Sequence, residues 1–381
     1  MNKKYIDQLT WLRGFAAFLV VVSHSLRGAE VAYGAGDVGS KFLPLNLLDL
    51  GTFGVCLFFA LSGCTLYISN ASTVKTVRDI PSFYWKRLLR IWPAFAISMA
   101  VYIPFTKLFS ALYTGNAGHW IGQFVTPYTL RDVLSYLSMS SDIFGPRTII
   151  NGAYWSLAIE FRYYLILPAV LILMRKKWMG VASCIVLSAV MWDVIHHQDA
   201  VPFDRPEFFQ LGFTFFLGVA MAALLVDRPR RMRFSHSFLI FVGCVALVSA
   251  IRLDYIALPE RGFFSDKTTC YGVLAVVCVF FALCAEPLKA KSWFLDHLYS
   301  YGLVSYSIYL YHMLFVGVAV LLIVRFELYG NYEKLAIIFP LTFFGSYFAG
   351  VIGYRFVEKP FIEMGRGASR KFSQAAPTAT R

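Results

Sequence analysis

Two side chains near the amino terminus have the types and spacing for proton and group-transfer chemistry. Arg13 and His24 stand eleven residues apart in an otherwise apolar stretch. If that stretch is a helix, they share one face to within roughly 20° and lie about 16 Å apart along its axis. One stripe then carries a permanent cation near one end and a titratable base toward the other. Histidine is the side chain best matched to accepting a proton near neutral pH. Each residue has an inert reading: the arginine can snorkel to headgroups, and the histidine can be a hydrogen-bonded interfacial group. Ionisable groups in hydrocarbon are costly unless paired or hydrated, so the two together favour a functional reading.

The elements that must hold them are transmembrane helices. Hydrophobic residues make up 58% of the 381 and charged residues only 15%. A soluble domain carries about a quarter charged residues, so this chain lacks the polar surface to stay dissolved. Apolar stretches at about 9–27, 48–69, 91–113, 152–174, 178–195, 208–226, 237–252, 268–286, 300–324 and 335–356 approach the length that spans a bilayer. The fold class expected is all-α, a polytopic transmembrane bundle of about ten helices. Strands are excluded because the stretches lack a barrel's alternation.

The formal charge of +13 sits in short clusters between these stretches, such as Lys86, Arg87, Arg90 and Arg228, Arg230, Arg231, Arg233. Counting them places both termini in the cytoplasm. It also argues for a lipid bilayer rather than a nucleic acid as partner. The expected location is the cell membrane, in multi-pass form, and the inner membrane in a Gram-negative cell. Arg13 ahead of the first stretch, and the lack of a clean A-x-A site before Glu30, predict a retained helix rather than a cleaved signal. The long connection at about 114–151 has the length of a lid or re-entrant element. Residues 366–381 form a polar, basic tail expected to be disordered.

No metal site is expected. No C-x-x-C occurs, and His196 and His197 near Asp193 and Asp199 lack helical ligand spacing. Ser62 has no nucleophile-elbow context. The seven cysteines read as small buried hydrophobes.

Six segments together resemble one family. Tyr5 to His24 (YIDQLTWLRGFAAFLVVVSH) closely resembles the opening of the membrane acyltransferase-3 family, with its Arg, ten residues, then His. FGVCLFFALSG (Phe53 to Gly63), FYWKRLLRIWP (Phe83 to Pro93) and WSLAIEFRYYLILP (Trp155 to Pro168) follow in the family's order. YSIYLYH (Tyr306 to His312) and YRFVEKPF (Tyr354 to Phe361) look like its closing signatures. Two positions depart from the pattern. Cys56 stands where many members have a polar residue, and Phe161-Arg162 follows Glu160 where Glu-Gln is common. Both bear on acceptor choice.

The resemblance implies one transmembrane acyltransferase domain over 1–365, without the extra soluble domain some relatives carry. It implies transfer of an acyl group, most often acetyl, from acyl-CoA to a hydroxyl, usually of a carbohydrate. Acyl-CoA is then a co-substrate and no cofactor stays bound. Arg87 and Arg90, three apart on one helix face, suit the coenzyme's phosphates, and Arg13 the path of its arm. Their alternative is ordinary positive-inside topology. His24 would act as base or transient acyl carrier, and Glu160 would orient it or bind sugar hydroxyls. Arg162 and Tyr163 are candidate donors to the oxyanion, although Glu160 could simply pair with Arg162. His312 reads as a packed polar anchor or a supporting residue, and Glu358 as a salt-bridge partner that the match keeps in play. The competing reading is a transporter or flippase using the same buried charges as its pathway. Acceptor identity and oligomeric state stay open.

Overall fold

A computed structural model describes residues 6–31, 47–115, 120–144, 149–196, 206–228, 232–260, 264–286 and 293–374. Those residues are overwhelmingly helical, and ten helical spans among them are long and apolar enough to cross a membrane. Helices are the answer that hydrocarbon imposes, because each backbone N–H and C=O must be satisfied within its own segment.

The chain divides into two compact units. The first takes in residues up to Leu26, then Gly39–Ala71 and Leu173–Ser305. It holds most of α1 (Ile6–Val31), then α2 (Gly51–Asn70). The second unit takes in Arg27–Val38, Ser72–Ile172 and Tyr306 onward. It opens with α3 (Ile80–Leu112), short helices α4 (Gly122–Val125), α5 (Leu130–Leu137) and α6 (Ser141–Phe144), and α7 (Trp155–Leu173). The first unit resumes with α8 (Lys177–His196), α9 (Pro206–Leu225), α10 (Phe234–Arg252), α11 (Lys267–Cys284) and α12 (Trp293–Leu303). The second closes with α13 (Ser305–Arg325), α14 (Asn331–Gly353), one π-helical turn at Tyr354–Glu358, and α15 (Lys359–Gln374).

In the first unit α2 packs on both α9 and α11. Glycine makes its crossing of α9 a close one. A Cβ on Gly63 would meet the Phe215 carbonyl oxygen at 2.1 Å, and one on Gly218 would meet that of Ala60 at 2.3 Å. A second reciprocal pair joins α1 to α12, where a Cβ on Gly14 would strike the Leu298 oxygen and one on Gly302 the Thr10 oxygen. Lipid is as apolar as leucine, so helix association here depends on such close backbone approach rather than on the hydrophobic effect. At the other end of this unit, Arg252 pairs with Asp49 and Lys267 with Asp254 at 2.6 Å. There Asp266 caps α11 through the Thr269 N–H and accepts Gln210 Nε2 at 3.1 Å.

In the second unit α3 starts earlier than hydropathy predicts. A 3-10 turn at Val77–Asp79 precedes it, with Asp79 Oδ2 accepting the Thr76 N–H at 2.8 Å. Lys86, Arg87 and Arg90 dilute the apolar signal without breaking the helix. The connection after α3 is tied back onto it: Trp92 Nε1 donates to the Leu137 carbonyl and Tyr128 Oη to that of Ile103, both at 2.9 Å. Helix α15 runs to Gln374. The helix starts on α3, with Gly365 beside Lys86 and Leu89, and this packing carries it past the end of the apolar run.

Because no side chain can be accommodated at the α2–α9 crossing, Gly63→Leu should cost about 1–3 kcal/mol. A thermal melt of the detergent-solubilised protein should show a clear fall in midpoint, and an unchanged midpoint would contradict the crossing.

Candidate functional site

Arg13 and His24 both lie on α1, an unbroken helix over this range. The shared face inferred from their spacing therefore holds. Arg13 donates through Nη2 to Thr65 Oγ1 on α2 at 2.9 Å, and the Thr65 hydroxyl in turn donates to the Leu61 carbonyl at 2.7 Å. The guanidinium is thus fixed against α2 beside Cys64. His24 Nδ1 lies 3.0 Å from the Val20 carbonyl, one turn back. A carbonyl only accepts, so Nδ1 carries the proton and a neutral imidazole presents its basic lone pair at Nε2. Close by, the Ser23 hydroxyl sits against Gly51 at the start of α2.

The second unit holds the remaining predicted residues. Arg87 and Arg90 are half-buried on the early turns of α3, and the Arg87 guanidinium stands 5.9 Å from the centroid of the Phe83 ring. On α7 Glu160 is half-buried and accepts from Tyr164 Oη at 2.5 Å. Arg162 is half-buried, whereas Tyr163 is fully enclosed. His312, also fully enclosed, donates from Nδ1 to the Tyr309 carbonyl at 2.8 Å.

Glu358 occupies the last position of the π-turn. Lys359 N–H bonds there to the Tyr354 carbonyl, five residues back, which makes the turn wider than an α-helical one. Such turns recur at functional positions. The Glu358 carboxylate is buried and accepts a hydrogen bond from the Ser307 hydroxyl on α13. Tyr306, next to that serine, lies within electrostatic reach of both Glu160 and Glu358, and its hydroxyl donates to the Ile91 carbonyl of α3 at 2.9 Å. One tyrosine thus lies within electrostatic reach of two carboxylates that the sequence treats separately.

Sequence reasoning missed the hydroxyls around these groups. Tyr309 Oη donates to the Ala153 carbonyl at 2.8 Å, so Ser156, at 2.7 Å, must donate to Tyr309. Ser98 donates to the Phe95 carbonyl at 2.7 Å and accepts from Tyr154 at 2.9 Å. The Tyr164–Glu160 contact was readable as an i, i+4 pair. The others join helices far apart in the chain and leave no local signal. Chemically, the first unit offers a cation and an oriented base on one stripe. The second offers carboxylates and hydroxyls, the groups that bind polyols, together with a basic helix start suited to phosphates.

Comparison with known proteins gives this chemistry a context. A family model described as an acyltransferase domain matches residues 6–355. The chain is 27% identical over 333 residues to a putative peptidoglycan O-acetyltransferase of Bacillus subtilis, covering 82% of this chain and 48% of that protein. It is 24% identical over 343 residues to the peptidoglycan O-acetyltransferase OatA of Listeria monocytogenes, covering 82% of this chain and 49% of that one. Nodulation protein 10 of Rhizobium leguminosarum is 28% identical over 212 residues, 49% of this chain and 50% of its own length. The chain therefore spans about half the length of these curated relatives. No solved structure matches it.

The Ser307–Glu358 bond yields a direct test. Ser307→Ala removes a donor from a buried carboxylate, which should cost about 1–3 kcal/mol of stability. Chemical denaturation in detergent should register that loss, and Glu358→Gln in the same background should add little further.

Proposed function

The chain belongs to the acyltransferase-3 family, and we propose that it transfers an acyl group, most often acetyl, from acyl-CoA to a carbohydrate hydroxyl. The observation that carries this reading is α1 itself, with Arg13 and His24 on one stripe and the His24 tautomer oriented by the Val20 carbonyl. The acceptor class rests on the two relatives named as peptidoglycan O-acetyltransferases and on the polyol-binding groups of the second unit. A surface polysaccharide, a lipopolysaccharide and a lipid-linked sugar all present such a hydroxyl.

In this reading His24 Nε2 takes the acceptor's hydroxyl proton as the oxygen attacks the thioester carbonyl. A tetrahedral oxyanion forms, the C–S bond breaks, and the coenzyme leaves as thiolate. The imidazolium then returns its proton to that sulfur, so the ester and free thiol form with no net proton change. Arg162 and Tyr163 are the proposed donors to the oxyanion. Glu160, already engaged by Tyr164, would bind acceptor hydroxyls, with His312 and Glu358 supporting the second unit's polar interior. Arg87 and Arg90 would hold the coenzyme's phosphates, and Arg13 would steady its arm.

This multi-pass membrane protein would keep both termini in the cytoplasm, on the side where its basic clusters concentrate. That orientation puts Arg87 and Arg90 on the side where acyl-CoA is made.

His24→Ala should lower acetyl transfer by roughly 10²-fold or more while protein level and membrane insertion stay unchanged. Mass spectrometry of surface glycans reads the missing acetyl increment, and wild-type acetylation in that variant would remove His24 from the chemistry. Arg87→Ala combined with Arg90→Ala should weaken acetyl-CoA binding and flatten its salt dependence. Titration of purified protein at two ionic strengths measures both, and unaltered affinity would take these arginines out of the donor site.

A further inference from the structure

Helix α7 begins beside the middle of α3 rather than at either end of it. Tyr154, the residue before its first turn, donates through its hydroxyl to Ser98 at 2.9 Å. Ser98 is the nineteenth of the 33 residues of α3, about 27 Å along that helix. The described parts of the connection run back beside α3, bonding to it at Ile103 and again at Trp92. A helix therefore presents its N-terminal N–H groups within the second unit, beside a stretch of non-helical backbone. In hydrocarbon such backbone persists only where protein or a polar cavity surrounds it.

Two buried donors stand at that N-terminus without a partner. The Tyr102 hydroxyl, one turn beyond Ser98, belongs to a side chain only 2% exposed and makes no hydrogen bond to the described residues. Its ring lies 6.3 Å from that of Tyr154. Asn151, 1% exposed, commits Oδ1 to the Ala153 N–H at 2.8 Å, which fixes the orientation of its amide. Nδ2 then faces the Tyr154 hydroxyl and has no hydrogen-bonded acceptor among the described residues. It carries two hydrogens, more than the Tyr154 oxygen alone could satisfy. A buried donor left unsatisfied costs stability, so two of them beside one helix N-terminus mark a place kept for an incoming oxygen. Their chemistry narrows the occupant. Both have hydrogens to give, and the Tyr154 hydrogen is already given to Ser98, so an oxygen that only accepts suits them. Glu160, within the first two turns of the same helix, opposes a full negative charge at this end. A neutral carbonyl meets both conditions, whereas a carboxylate or phosphate fails the second.

We propose that Tyr102 Oη and Asn151 Nδ2, at the buried N-terminus of α7, bind a neutral carbonyl oxygen of a substrate. The choice of substrate rests on the acyl-transfer reading, in which two sources present such an oxygen. One is the thioester of acyl-CoA, the other an amide substituent on the carbohydrate. The occupant enters past α4, whose Phe124 ring lies 6.3 Å from that of Tyr102 and whose Gln123 Oε1 accepts the Gly152 N–H at 2.8 Å. Tyr102 and Asn151 are thus specificity residues that distinguish a carbonyl-bearing substrate from one without it.

Isothermal titration calorimetry of the full-length protein in detergent tests this with two probe pairs, acetyl-CoA against coenzyme A and chitotetraose against cellotetraose. At least one pair should show about tenfold tighter binding of the carbonyl-bearing member, and the pair that does so identifies the source. Tyr102→Phe should remove most of that preference while the thermal midpoint holds level or rises, because the lost hydroxyl had no partner in the protein. Asn151→Asp keeps an acceptor for the Ala153 N–H but has a carboxylate with no hydrogen to give, and it should weaken the preference likewise. No preference in either pair, or an undiminished one in Tyr102→Phe, would overturn the proposal. So would a lowered midpoint in that variant with affinities unchanged, the mark of a hydroxyl that serves a fixed water. If the preference appears and falls as expected but no acetyl group is ever transferred, the acyl-transfer reading fails and this site stands.

Discussion

Hydrocarbon gives a polar side chain no water to turn to, and in this protein the helix backbone takes water's place. His24 leans on the Val20 carbonyl, His312 on Tyr309, Thr65 on Leu61 and Tyr306 on Ile91. Each carbonyl already accepts, or can accept, a helical N–H and has a second lone pair to lend. The same act that removes the desolvation penalty also fixes a direction. A histidine whose Nδ1 is committed to a carbonyl has its ring orientation and its tautomer defined together. Satisfying a polar group and aiming it are here one event.

The two units divide the available chemistry. The first supplies an arginine and a histidine on one stripe, with α2 locked behind them by glycine crossings. The second holds two carboxylates within electrostatic reach of Tyr306, together with a tyrosine–serine network that is almost fully enclosed. Buried networks of this kind tolerate little loosening, because each member left unsatisfied costs more than the bond it made. The described parts of the connection between α3 and α7 serve the same end, since their hydrogen bonds fasten them to α3 and the start of α7.

Much of this was legible in the residues alone. Ten spans follow from hydropathy, and the common face of Arg13 and His24 follows from helical arithmetic. What escaped did so for physical reasons. Helix α3 begins among charged residues that lower hydropathy but not helix propensity, so its early turns were invisible to an apolar window. The order of α15 depends on packing against α3, a contact nearly three hundred residues away in sequence. Ser307 finds Glu358 only because α13 and α14 pass closely at Gly353, a fact of tertiary packing that no local pattern encodes.

The wide turn at Tyr354–Glu358 has a consequence for the long helical rod it interrupts. One additional residue in a turn shifts the phase of everything beyond it by about 100°. Glu358 is thereby directed inward, and α15 is indexed so that Gly365 meets α3. Carboxylate aim and terminal docking are geared together through that single residue, like two wheels on one axle. A chain lacking it could seat one of the two but not both.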